Sequence, residues 1–285
     1  MAAMTYPRPT LATYARVILA EAYFRLVNIT RYPGQLAMDF VVPIIITLIP
    51  ILQGRSLAGD QAAAIFEANT GTANYVGFLL IGSAAYTLVS MAFWHVAYWL
   101  RFEQETGTLE AVYLTPSSPS LLVVGVAIYS FVRGFAAMLF SYVIGCLIFG
   151  VNPLSGDVLL ALVFVMVGVI PVYALALLFG AVVLKVKESN ALISLMQWVV
   201  SFLMGIYFPI TVLPPLARAL ALAFPPTWMT NGVRSALLGV GFFFGEWYFD
   251  LALLATFVVI TPLVGLWLFR QAEESVRRNE GVGEF

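Results

Sequence analysis

VLLALVFVMVGVIPVYALALLFGAVVL, residues Val158–Leu184, runs without a single charged side chain. A helix needs about 20 mostly apolar residues to cross the hydrocarbon core of a bilayer, so this stretch decides the fold class. Working outward, the same criterion picks out Leu36–Leu52, Tyr75–Leu100, Leu121–Phe149, Ala191–Tyr207 and Leu251–Phe269. That makes six expected spans. The whole chain agrees: its 285 residues are 61% hydrophobic and only 10% charged, with a mean hydropathy of +0.94. Soluble domains carry roughly 45–50% apolar and about 25% charged residues, and disordered chains are less apolar still. The expected fold is an all-α integral membrane protein with six transmembrane helices.

Two further segments frame these spans. Residues 8–31 have the periodicity of an amphipathic interface helix: Leu11, Ala15, Ile18, Leu19, Ala22, Tyr23 and Leu26 recur at helical spacing. Arg16, Glu21 and Arg25 fall elsewhere, Glu21 and Arg25 as an i,i+4 pair. Such a helix lies along the membrane surface, and Pro33-Gly34 breaks it before the first span. The segment lacks the compact apolar run and small-residue cleavage site of a signal peptide. Between the fifth and sixth expected spans, residues 209–245 are apolar but interrupted by Pro209, Pro214, Pro215, Pro225 and Pro226. This predicts two short helices, Pro215–Phe224 and Thr227–Leu238, forming a re-entrant or outer hairpin. Each is too short to cross, and such a hairpin is tolerated at membrane depth only when covered by protein.

Basic residues set the orientation. With the N-terminus inside, the inner segments hold Arg8, Arg16, Arg25, Arg31, Arg101, Lys185, Lys187, Arg270, Arg277 and Arg278, while the outer ones hold Arg55, Arg218 and Arg234. Both termini are therefore expected in the cytoplasm, the chain in a cell inner or plasma membrane, and the polar tail 271–285 cytoplasmic and mobile.

Composition also excludes functions. A net charge of −1 offers no basic excess for nucleic acid. One cysteine, Cys146, and one histidine, His95, leave no multi-cysteine or paired-histidine metal site, so no metal is expected. Lys185 and Lys187 follow Leu184 and Val186, so neither is a P-loop lysine and the chain has no Walker A motif. One histidine, one cysteine and no carboxylate pair within the spans provide no catalytic set.

The most informative polar segment is Arg101–Pro116, RFEQETGTLEAVYLTP, between the second and third spans. Its three acids, Glu103, Glu105 and Glu110, are not explained by the positive-inside rule. Gly107 can turn a helix, Thr108 can cap the short helix that follows, and Thr115-Pro116 stops it. A short, capped, charged helix at the membrane surface suits force transfer from another protein; a plain solvated loop with a turn fits the residues as well.

The segment Glu103-x-Glu105-x-Gly107-Thr108-Leu109-Glu110, followed by Leu114-Thr115-Pro116, resembles the signature of permeases of the type-2 (ABC-2) exporter family of ABC transporters. A second likeness is Phe208-Pro209-Ile210-Thr211-Val212-Leu213-Pro214, then Phe224-Pro225-Pro226-Thr227 and Arg234, similar to that family's F-P-x-x-x-L-P … P-x-T … R pattern. The resemblance extends over nearly the whole chain. It implies a type V exporter fold, a permease working as a dimer, most simply a homodimer, and two copies of an ABC ATP-binding subunit. ATP and Mg would sit on that partner, with no cofactor on this chain. It implies that 101–116 is the coupling helix on which the ATPase docks, carrying Glu103, Glu105, Gly107, Thr108, Leu109, Glu110, Thr115 and Pro116. The implied cargo is a lipid, a drug or a lipid-linked glycan, with membrane lipids as surroundings and no nucleic acid partner.

Within the spans, Arg133 and Asp39 are candidates for the substrate pathway, because an intramembrane charge is costly unless it is used or paired. Arg133 meets an anionic cargo group or pairs with Asp39 or Glu188. His95 takes a structural hydrogen bond or relays a proton. Trp94 and Tyr98 belong to an interfacial aromatic belt or line the conduit. Gly168, Ala176 and Gly180 suit close helix contact. The competing function is a gradient-driven secondary transporter or channel, which would place acids within its spans. Here Asp39 is nearly the only one.

Overall fold

The computed structural model describes residues 10–58, 62–114, 119–183, 186 and 189–279. Among these there are helices and no strands. Thr10 accepts from the Thr13 backbone and starts α1 (Leu11–Ile29). Pro33, whose missing N–H is an orphan at a helix start in any case, opens α2 (Pro33–Ala58). Then come α3 (Ala62–Thr70), α4 (Tyr75–Ala92), α5 (Trp99–Glu105), α6 (Leu109–Leu114), α7 (Pro119–Phe149), α8 (Val158–Val183), α9 (Ser189–Leu203), α10 (Pro215–Leu222), α11 (Pro225–Leu238) and α12 (Trp247–Asn279). Residues Phe93–Ala97 form a π-helical turn between α4 and α5. The polar tail expected from residue 271 onward continues α12 as helix to Asn279.

Among the described residues, five helices are long and apolar enough to cross a membrane: Pro33–Gly54, Tyr75–Ala97, Leu121–Phe149, Val158–Val183 and Trp247–Gln271. The expected span Ala191–Tyr207 is not among them. Its helix, α9, has 15 residues, which at 1.5 Å each rise only about 22 Å. Beyond Leu203 the chain leaves the helix, with Gly205 at φ +59°. The hairpin helices appear as two short elements, α10 and α11, with a 3-10 turn at Ile210–Val212 before them.

The bundle is organised around α4 and α8. α4 is almost wholly buried, from Val76 to Ala92, and its core continues into Phe93, Val96 and Ala97. α8 carries the decisive charge-free run and packs between α4, α11 and α12. Small residues set the close approaches expected of them: Gly180 lies against Ala97 and Gly168 against Met229. α11 is also buried along most of its length. By contrast α2, α9 and α12 keep rows of large apolar side chains exposed, including Ile45, Ile49, Trp198, Leu263 and Trp267. In water such rows would be a liability; beside acyl chains they are ordinary. α1 packs on the start of α7 through Ala22, Ile29 and Tyr129, while Leu19, Tyr23 and Phe24 point away.

Candidate functional site

The polar segment after α4 is built as its residues suggest. α5 ends at Glu105 and is followed by a turn at Gly107, whose φ of +73° is the left-handed conformation glycine adopts most readily. This lets the Thr108 N–H donate 2.9 Å back to the Glu103 carbonyl. Thr108 is then the residue before α6, and its carbonyl accepts from Val112 N–H at 3.1 Å. The Thr108 hydroxyl, expected to cap α6, instead turns back and donates to the carbonyl and the carboxylate of Glu103. Glu103 also accepts from Arg25 Nη2 at 2.9 Å, and Arg25 Nε donates to Glu21 at 2.5 Å. A chain of contacts thus runs Glu21, Arg25, Glu103, Thr108, tying α1 to the Gly107 turn. Glu105 accepts from Arg101 Nε at 3.1 Å and from the Tyr98 hydroxyl. Burial first, and then the carboxylate beside it, raise the Tyr98 pKa. Glu110 and Leu109 lie on α6; Thr115 and Pro116, like Glu188, lie outside the described residues.

A second polar group sits within the apolar bundle. Arg133 donates from Nε and from Nη2, the latter at 2.9 Å, to both oxygens of Asp39. Its Nη1 reaches the Tyr129 hydroxyl at 2.6 Å and His95 Nε2 at 3.4 Å. The donors can be counted through. Ser130 Oγ gives its one proton to the Met91 carbonyl at 3.0 Å, so it accepts from His95 Nδ1 at 3.0 Å and from the Tyr173 hydroxyl at 3.1 Å. His95 therefore carries its proton on Nδ1 and turns a lone pair toward the guanidinium: it is neutral. The π-helical turn helps aim it there, a common use of such turns. Asp39 is the partner of Arg133, and the ion pair is neutral as a whole.

Both groups border one cavity of about 580 Å³ between α1, α2, α4, α5 and α7. Arg25 stands at one edge, Asp39 and Arg133 at another, and Trp94 and Tyr98 line it. The aromatic cluster at the end of α4 is therefore split. Phe93 is a core residue, whereas Trp94, Tyr98 and the buried Trp99 line the cavity.

The proline-rich residues form a separate cluster, packed at the Phe78–Gly82 end of α4. Pro209 precedes the 3-10 turn, Leu213 is buried with Ile210 and Ala221, and Pro214 precedes α10. Pro226 lies in the first turn of α11, where its carbonyl accepts from Thr230. The threonine and arginine of this pattern have one shared task. Where α9 unwinds, its last carbonyls need donors. Thr227 bonds the Leu203 carbonyl at 3.1 Å; Arg234 bonds Gly205 at 2.9 Å, Ile206 at 2.7 Å and Phe78 at 3.2 Å. Arg234 has no carboxylate among its described partners. Its charge rests on these carbonyls and on the Phe78 ring, 3.5 Å from the guanidinium carbon. Gly82 makes the room: a Cβ there would lie 2.2 Å from an Arg234 nitrogen.

The structure brings Arg133, Asp39, His95, Trp94 and Tyr98, singled out separately in the sequence, to the wall of one cavity. Sequence reasoning missed Tyr129, Ser130 and Tyr173, which nothing in an apolar run distinguishes, and it missed that Arg25 reaches Glu103. No group of three His, Cys, Asp or Glu residues among the described residues could hold a metal.

Apolar helices around a buried ion pair, with a charged turn at one end, define a multi-pass membrane protein. The chain belongs to the ABC-2 type transporter family, whose model matches residues 18–238. It is thus a membrane permease component of an ABC transporter, and the family implies an ABC ATPase as its partner. A comparison with curated proteins finds no match.

Proposed function

We propose that this chain is the transmembrane subunit of an exporter, pairing with a second permease, most simply a copy of itself. It carries a lipid, a drug or a lipid-linked glycan out of the cytoplasm. Two ATP-binding subunits, holding ATP and Mg, dock on 101–116. The observation that carries this reading is the contact chain from α1 through Arg25 and Glu103 to Thr108. A push on the Gly107 turn is passed directly to α1 and, through the shared cavity wall, to the helix pair joined by Arg133 and Asp39. The same end of the bundle presents Phe102 and Leu114 to solvent, apolar anchors of the kind that seat a partner.

Six crossings, with both termini in the cytoplasm, remain our reading of the topology. α9 rises about 22 Å, and the non-helical stretch 204–209 adds up to ~3.3 Å per residue, enough to complete about 30 Å. Non-helical backbone at that depth is supported by the donors from Thr227 and Arg234, and α10 and α11 then form the outer hairpin. Cysteine labelling tests the orientation: a cysteine replacing Ala68 should react with impermeant reagents in intact cells, one replacing Thr108 should not. Ala68 is exposed, whereas Thr72 is buried and hydrogen-bonded and would report poorly.

The function is tested by purifying the chain in mild detergent from its native cells and identifying what accompanies it. A stoichiometric ATPase, stimulated by cargo, is the expected result. Repeated preparations without one would favour the gradient-driven transporter.

A further inference from the structure

We propose that the cavity between α1, α2, α4, α5 and α7 is a binding site for an amphiphile whose polar end carries no negative charge; that this amphiphile is the cargo rests on the export reading above. Three observations point to it. First, every cation described at the cavity is already held by carboxylates. Arg25 is held between Glu21 and Glu103, Arg133 is held by both oxygens of Asp39, and His95 is neutral by its hydrogen bonds. An anionic head group entering here would leave water and meet no free cation. Second, neutral polar side chains are present to receive it: Asn28, Gln35, Tyr86 and Ser90 all line the space. Third, the remaining wall is aromatic and aliphatic, with Trp94, Tyr129 and Phe102 on one side and Met38 and Val42 of α2 on the other. Met38 and Val42 are exposed, so the cavity is open, and its 580 Å³ falls within the ~300–1,000 Å³ that drug-sized ligands fill. The ion pair thus serves as a charge filter: Asp39 masks Arg133, and an anionic amphiphile is refused.

The test uses the whole chain, without an ATPase, in phosphatidylcholine nanodiscs. Three diazirine-bearing probes of equal chain length are compared: a monoacylglycerol, an alkyl sulfate and an alkyl trimethylammonium. Adducts are mapped by mass spectrometry and normalised to those on the lipid-facing surfaces of α9 and α12. The expected result is that the monoacylglycerol and the alkyl trimethylammonium label the cavity segments 86–102 and 126–133 about tenfold more than the alkyl sulfate, a ratio equivalent to 1.4 kcal/mol. Asp39→Asn should unmask Arg133 and bring alkyl sulfate labelling of the same segments up to that level. If this variant does not fold, Asp39→Asn/Arg133→Gln, which removes both charges together, should keep the wild-type preference. An alkyl sulfate that labels the wild-type cavity as well as the monoacylglycerol overturns the proposal, as does labelling of the cavity no greater than that of α12. Because no ATPase is present, neither outcome depends on whether a partner co-purifies.

Discussion

Arg25→Met removes the one cation that stands between two carboxylates, Glu21 and Glu103. Glu103→Gln, by contrast, removes one of two acids that share a cation. The two changes delete the same contact and should not cost the same. The Arg25 and Glu103 side chains are 23% and 13% exposed. Their pair therefore lies between the solvent-exposed case, at most about 1 kcal/mol, and the buried one, where losing a partner costs roughly 3–5 kcal/mol. Glu103→Gln leaves Arg25 with Glu21, and a glutamine can still accept from Thr108, so about 1 kcal/mol is expected. Arg25→Met leaves Glu21 and Glu103 half-buried with no cation between them, so about 2–3 kcal/mol is expected. The double variant relieves that repulsion and should cost less than Arg25→Met alone. The pairwise term is then of order 1–1.5 kcal/mol, about a tenfold effect on an equilibrium constant. The assay is a double-mutant cycle, read as unfolding free energy in mixed micelles. A parallel readout on the reconstituted complex follows ATP hydrolysis and transport separately. If Arg25 transmits force from the Gly107 turn to α1, Arg25→Met should lower cargo moved per ATP hydrolysed while hydrolysis itself continues. Equal and additive single-variant costs with unchanged coupling would refute the reasoning.

Other outcomes follow from single features. Arg234→Met should destabilise the bundle by about 2–4 kcal/mol, because the Gly205 and Ile206 carbonyls lose their donor in a buried place; Arg234→Lys should fall between, and thermal unfolding in detergent separates the three. Gly82→Ala should lower the unfolding temperature more than alanine at the exposed Gly34, since its Cβ would lie 2.5 Å from the Ile206 carbonyl oxygen. Gly107→Ala should cost roughly 1–2 kcal/mol in the turn, from the left-handed backbone alone, with nothing in the structure within 4 Å of the new Cβ. A variant at Gly107 that loses coupling but keeps expression would place the effect in the turn and not in the fold; Gly107→Pro, which cannot take a positive φ, should uncouple outright.

The local parts of this protein were legible in its residues, and the reason is range. Hydropathy is summed over a single helix, so a charge-free run such as Val158–Val183 declares itself without reference to any neighbour. The Gly107 turn and the start of α6 depend on backbone preferences within a few positions, and they stand where those preferences put them. The prolines of 209–226 likewise stand at the starts of the two short helices found.

Contacts across the chain were decided by packing. Glu103 meets Arg25, and Arg133 meets Asp39, each across a gap in sequence that no periodicity spans. The list of partners for Arg133 could be narrowed by chemistry but not chosen, because any inner carboxylate satisfies the same charge. The end of α9 is the clearest case. Met204, Ile206 and Tyr207 are as apolar as the residues before them, so the sequence reads on as helix. The chain unwinds there because α11 brings Thr227 and Arg234 to its carbonyls, and α11 can lie there because Gly82 leaves space on α4. Composition and pattern determined that the chain enters a membrane as helices, with a charged turn beside one end. Tertiary structure decided which charges cancel, where the cavity forms and what lines it, since these depend on side chains brought together from helices far apart in the chain.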